Sequence, residues 1–179
     1  MRYLLCPIKS GFWQVLHFIL EWANLIYSFQ FKTFRLLINM EFYLSEIATD
    51  FAREYGSFLY ENAIDAVVSF CEENNFICWR SFEFSSYKLI EERIDRSEIF
   101  VALIDKYWTS STWKMHEYTY ASGGSARASD KKGSLVKNKI VFLVDNQEFP
   151  CCLNGCPGEI AIAHTLSELR SNLKKLAEL

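Results

Sequence analysis

The stretch "SSTWKMHEYTYA", Ser110 to Ala121, sets a carboxylate, Glu117, four residues after an indole, Trp113. On a helix that spacing puts both side chains on one face, about 5–6 Å apart at Cβ. The ring can wall a pocket while the carboxylate points at what fills it. A carboxylate so placed can stabilise positive charge that develops as a bond breaks. Ser110, Ser111 and Thr112 stand where the helix would start. A hydroxyl there caps the helix, and the free backbone N–H groups suit a phosphate or Glu117 itself. The same residues also describe an ordinary surface helix, its indole packed and its carboxylate solvated. The pair alone leaves both readings open.

The elements around the motif narrow the choice. "EIFVALI" (Glu98–Ile104) is a near-continuous apolar run, as in a strand covered on both faces. The motif follows it directly, with Tyr107 and Trp108 between, each equally suited to the core. "EFYLS" (Glu41–Ser45), "FICWRSF" (Phe76–Phe82) and "KIVFLVD" (Lys139–Asp145) read as further strands. Between them, "NAIDAVVSFCEEN" places Ala63, Val67, Phe70 and Cys71 at helical spacing. "KLIEERIDRS" predicts a short amphipathic helix with Leu89, Ile90 and Ile94 inside, and "LSELRSNLKKLAE" a closing one. "ASGGSARASDKKGS" is an exposed loop. Strands alternating with helices imply a parallel sheet with helices on both faces. Ligands bind such sheets outside the carboxyl ends of the strands, which is where the motif begins.

Bulk composition sets limits. Half of the 179 residues are apolar and 16% are aromatic, so a core forms and whole-chain disorder is excluded. The net charge of −3 argues against the basic face that nucleic acid requires. Residues 1–39 differ from the rest. They carry Arg2, Lys9, Lys32 and Arg35 against Glu21, so the acidic excess falls on residues 40–179. "GFWQVLHFILEWANLIYSF" is long and apolar but interrupted by Gln14, His17, Glu21 and Asn24. It has four readings: a weak membrane span, an amphipathic helix on a membrane or partner, an extra helix packed on the domain, or residues upstream of a start at Met40. Of the six cysteines, Cys71 and Cys78 sit in apolar runs as small core residues. "CCLNGC" lacks a paired C-x-x-C and a nearby histidine, so it reads as a reduced loop and no metal site is expected. His17, His116 and His164 are scattered, and His116 points about 100° around the helix from Glu117.

From Met40 to about Leu179 the chain resembles a TIR (Toll/interleukin-1 receptor) domain. "IDRSEIFVALIDKYWTSSTWKMHEYTYA" carries most of the likeness: a helix ending in Ser, an apolar strand, an aromatic, a Ser-x-Trp turn and a Glu four residues after the Trp. "KIVFLVDNQEFPCCL" is similar to the family's next strand and its proline-containing loop. An insertion is expected near "DFAREYGSFLY". "EFSSY", after the second strand, departs from the family pattern in having neither proline nor glycine.

The resemblance implies an α/β, flavodoxin-like three-layer sandwich with a central parallel sheet of about five strands. It divides the chain into an apolar segment, 1–39, and a TIR domain, 40–179. It implies a cytoplasmic protein that self-associates through TIR–TIR contacts, in immune, cell-death or anti-phage signalling. Two functional groups exist in that family. One hydrolyses NAD at the nicotinamide–ribose bond with the glutamate that aligns with Glu117. The other consists of non-catalytic interaction modules. For the first, NAD is substrate and no cofactor is required. Nicotinamide in NAD is already cationic and leaves as a neutral base, so the acid that ordinary glycosidases need is dispensable. Glu117 is then catalytic, and Trp113, Ser111, Trp79, Arg80 and Asp105 are candidates for holding the nucleotide. Trp79 and Arg80 read equally as strand packing and surface charge, and Asp105 as a turn residue. A third, more distant likeness is to deoxyribosyltransferases, which also place a glutamate near a ribose.

Overall fold

The computed structural model describes residues 20–21, 40–46, 58–124, 132–136, 138–153 and 157–178. The chain divides into two units, Met1–Asn39 and Met40–Leu179. Leu20 and Glu21 are the described residues of the first, both helical and exposed. The other expectations for residues 1–39, membrane contact among them, lie outside the described residues. So does most of the expected insertion near residues 50–60, of which 50–57 are not described. Among the described residues no helix is long and apolar enough to cross a membrane.

The second unit is a five-stranded sheet in the order β2-β1-β3-β4-β5, every pair parallel. The strands are β1 (Glu41–Ser45), β2 (Ile77–Arg80), β3 (Ile99–Ile104), β4 (Asn138–Leu143) and β5 (Glu159–Ala163). The helices are α1 (Phe58–Glu73), α2 (Tyr87–Arg96), α3 (Thr112–Ala121) and α4 (Leu166–Ala177). Side chains alternate across the sheet and build two cores. Phe42, Leu44, Val101, Leu103, Ile140 and Phe142 face one side and pack with α1 and α4. Tyr43, Phe100, Ala102, Ile104, Val141 and Leu143 face the other and pack with residues of α2 and α3. The result is a flavodoxin-like three-layer α/β fold. All six residues of β3 are buried, because helices cover both of its faces.

Local chemistry fixes the helix starts. Ser86, from the "EFSSY" segment, caps α2 by accepting the Leu89 N–H. Thr165 and Glu168 form a reciprocal capping box on α4. Beyond the α3 C-cap, Gly123 takes a φ of 80°, a left-handed position that suits glycine. Half of the Gly/Ser loop, residues 125–131, lies outside the described residues.

Several boundaries differ from the sequence reading. β2 ends at Arg80, and Ser81–Glu83 form a 3-10 turn. β4 ends at Leu143, and Asp145 turns with a φ of 53°. The fifth strand has no counterpart among the four apolar runs of the sequence. It is "EIAIA", an edge strand whose middle is only partly covered, so its apolar signal is short and weak. Leu89 is 39% exposed, not inside. The helix turns Glu91 inward instead, against His116. Cys71 is a core residue, and Cys78 is half-buried against the same cluster.

These positions carry unequal energy. Leu103→Ala at the sheet centre is expected to cost about 2–5 kcal/mol in urea unfolding. Leu89→Ala is expected to change stability by no more than about 0.5 kcal/mol. Equal losses for the two would overturn the assignment of faces.

Candidate active site

Strand order reverses between β1 and β3: the chain leaves β1 toward β2 and leaves β3 toward β4. In a parallel sheet a crevice opens at the carboxyl ends there, because flanking connections diverge to opposite faces. A cavity of about 560 Å³ occurs at this place. Glu46 lines it from the end of β1, Ser81 from the end of β2, and Tyr107, Ser110 and Ser111 from the segment after β3. Trp113, Lys114 and Glu117 line it from α3, and Ile90 from α2. Phe82 and Phe84 complete an aromatic wall with Tyr107 and Trp113.

The polar groups are buried. Glu117 is 1% exposed. The Ser45 hydroxyl donates to its Oε2 at 2.6 Å. Lys114 Nζ donates to Oε1 at 3.0 Å and to Oε2 at 3.1 Å. The same ammonium donates to Ser81 Oγ at 2.5 Å. Ser81 Oγ in turn accepts the Glu46 N–H at 3.0 Å and donates to the Glu46 carbonyl at 2.9 Å. Glu46 receives a two-pronged ion pair from Arg80, at 2.5 and 2.9 Å. A chain of contacts therefore runs Arg80, Glu46, Ser81, Lys114, Glu117, Ser45, with two carboxylates and two cations.

Burial raises the pKa of Glu117 above the usual carboxylate range, and the Lys114 charge and the Ser45 hydrogen bond oppose it. Burial likewise raises Glu46, opposed by Arg80. The Tyr43 phenol is pushed well up, by burial first and by the Glu117 charge second. Its hydroxyl feels that charge without meeting hydrogen-bond geometry among the described residues.

Glu117, Trp113 and Ser111 are thus brought together. Trp113 is 37% exposed, and its ring stacks on Tyr87 of α2 at 4.0 Å between centroids. Ser111 is the N-cap of α3 and accepts the Lys114 N–H at a long 3.4 Å. Three other candidates lie elsewhere. Trp79 does not line the cavity: its indole donates to Glu41 Oε2 at 2.6 Å and carries the Arg93 guanidinium 3.9 Å above the ring. Alternation along β2 sends it to the opposite face from Cys78, toward α2. Arg80 reaches the cavity only through Glu46, with its guanidinium over the Phe82 ring at 4.3 Å. Asp105 is a turn residue that accepts the Tyr107 N–H at 3.0 Å, with its pKa raised by burial. Trp108 is wholly in the core, whereas Tyr107 lines the cavity. His116 turns from the cavity to Glu91 Oε1, at 3.0 Å.

Sequence reasoning passed over Ser45, Glu46, Ser81 and Lys114. Two signals could have found them. Lys114 is three residues before Glu117, a helical ion-pair spacing. Ser45, Glu46 and Ser81 follow the apolar part of a strand, at the edge where ligands bind. Among the described residues no group of three or more His, Cys, Asp and Glu side chains gathers as a metal site would require. Neither a protein-family model nor a curated protein matches the chain.

Two predictions follow the charges. Arg80→Met leaves Glu46 buried without its partner and is expected to cost about 3 kcal/mol in urea unfolding. A loss under about 0.5 kcal/mol would mean that the pair carries nothing. Glu117 has a raised folded pKa, so the folded state binds its proton more tightly than the unfolded chain does. Its contribution is complete at low pH and is lost as pH rises from the ordinary glutamate range through the raised value. The stability of Glu117→Gln relative to the native chain therefore increases with pH across that window. A constant difference would count against the shift.

Proposed function

We propose that the chain is a TIR-type nucleosidase that cleaves NAD between nicotinamide and ribose. One observation carries the reading: a buried carboxylate, Glu117, borders an aromatic-walled cavity at the strand-order reversal. The resemblance of the Ser110–Ala121 stretch to the catalytic TIR domains supplies the substrate.

The chemistry asks little of the protein. The bond from nicotinamide N1 to ribose C1′ breaks, and its electron pair leaves with nicotinamide, which becomes neutral. The positive charge passes to the ribosyl C1′ and ring oxygen. Glu117 stabilises that charge from a site screened from water, where a fixed carboxylate acts more strongly than in solution. Water adds at C1′ and loses a proton, giving ADP-ribose. An adenine nitrogen adding at C1′ instead gives the cyclic product. Phe82, Phe84, Tyr107 and Trp113 offer flat apolar surfaces for the bases. The role in signalling or defence, with self-association, is part of the same proposal.

One feature favours a second reading, a non-catalytic interaction module. Glu117 already has a counter-ion in Lys114, as a purely structural pair would. The two readings separate on one assay. The full chain is incubated with NAD at high protein concentration and nicotinamide release is followed. The nucleosidase reading expects release, and a loss of about 10²-fold or more in Glu117→Gln, with the fold retained by circular dichroism. No release from the native chain, or equal release from the variant, supports the module instead.

A further inference from the structure

We propose that Lys114 is a positioning residue for Glu117, locking both carboxylate oxygens in one orientation and holding them charged at the cavity. The inference rests on Glu117 being the reacting carboxylate.

The ammonium has three donors. One reaches Glu117 Oε1, one Oε2 and one Ser81 Oγ. Its donors are therefore spent on the site and not held ready for a ligand phosphate. Acid and counter-ion share α3, at i and i+3, so the helix backbone fixes their separation. Two strand ends complete the setting: Ser81 beyond β2 receives the ammonium, and Ser45 at the end of β1 donates to Oε2. Three elements thus hold one carboxylate.

The surroundings require a counter-ion here. The Lys114 side chain is 8% exposed and that of Glu117 is 1% exposed, so water gives little help. The other groups near Glu117 do not replace it. Tyr43 of β1 is a neutral phenol, its pKa pushed well up. Glu46 is a second acid, and Arg80, the other cation of the network, is committed to Glu46. Of the two cations in the network, Lys114 alone touches Glu117. A protonated Glu117 could not stabilise a ribosyl cation, so losing Lys114 should move the pH range of turnover as well as its rate.

The test uses the full chain and the variants Lys114→Met, Lys114→Gln and Lys114→Arg, each checked by circular dichroism. Lys114→Gln keeps a hydrogen-bond donor without charge and serves if the Met variant does not fold. Glutamate is labelled with ¹³C at the carboxyl carbon, and the Glu117 resonance is identified by its absence in Glu117→Gln. The neutral variants are expected to titrate Glu117 at least tenfold more weakly acidic than the native chain, and Lys114→Arg to restore most of the difference. The acid limb of nicotinamide release shifts upward in parallel, with kcat falling more than KM rises. An unchanged Glu117 titration overturns the proposal. So does faster turnover in the neutral variants, because Lys114 would then mask the carboxylate. A shifted titration with no turnover in any chain supports the positioning role and overturns the nucleosidase reading, so the two failures are distinct.

Discussion

A carboxylate with 1% of its surface exposed is stripped of water, and its charged form needs a partner in water's place. In this protein the replacement is the Lys114 ammonium, shared between Glu117 and Ser81. The rest of the site depends on that contact. Without it Glu117 would lose the charge that opposes the effect of burial, and the network from Arg80 to Ser45 would lose its middle link. Buried pairs of this kind are costly to desolvate and give little net stability against an apolar replacement. Such an arrangement, lining a cavity, is what a site that needs fixed charge would contain.

The sheet makes the contact possible. β1 and β3 lie side by side, and their connections leave in opposite directions. Ser45 and Glu46 therefore emerge next to the start of α3. Ser81 arrives from β2, whose register with β1 sets Arg80 opposite Leu44 and so near Glu46. Residues remote in sequence, Ser45 and Glu117 for example, are brought within 2.6 Å. The aromatic wall has a related origin. Tyr87 opens α2 and Trp113 lies in the first turn of α3, so packing one helix beside the other stacks their rings.

The buried pairing of His116 with Glu91 joins the same two helices one turn further along, with the Tyr87 ring edge-on to His116 at 4.7 Å. α2 places Glu91 inward and Leu89 outward, against the simple apolar pattern. A polar partner on the neighbouring helix reverses the usual preference, because a paired carboxylate can be buried where an unpaired one cannot. Helical periodicity reads one helix at a time and does not register a partner on the next.

The sequence by itself determined the alternation of strands and helices, the all-buried β3, and the Trp113–Glu117 pair on one helix face at the carboxyl edge. Each is a local pattern: a run of apolar residues, a spacing of four, hydroxyl residues at the helix start. Tertiary structure alone decided that Glu117 meets Ser45 and that its counter-ion Lys114 reaches Ser81, that Trp79 and Asp105 stand apart, and that Glu46 is present at all. Those facts depend on which strand ends meet at the reversal of strand order and on which face each side chain takes. The edge strand β5 belongs with them, since its half-covered residues carry too little apolar signal to be read alone. Periodicity fixes direction within an element, whereas contact between elements is set by packing, which no short stretch of chain encodes.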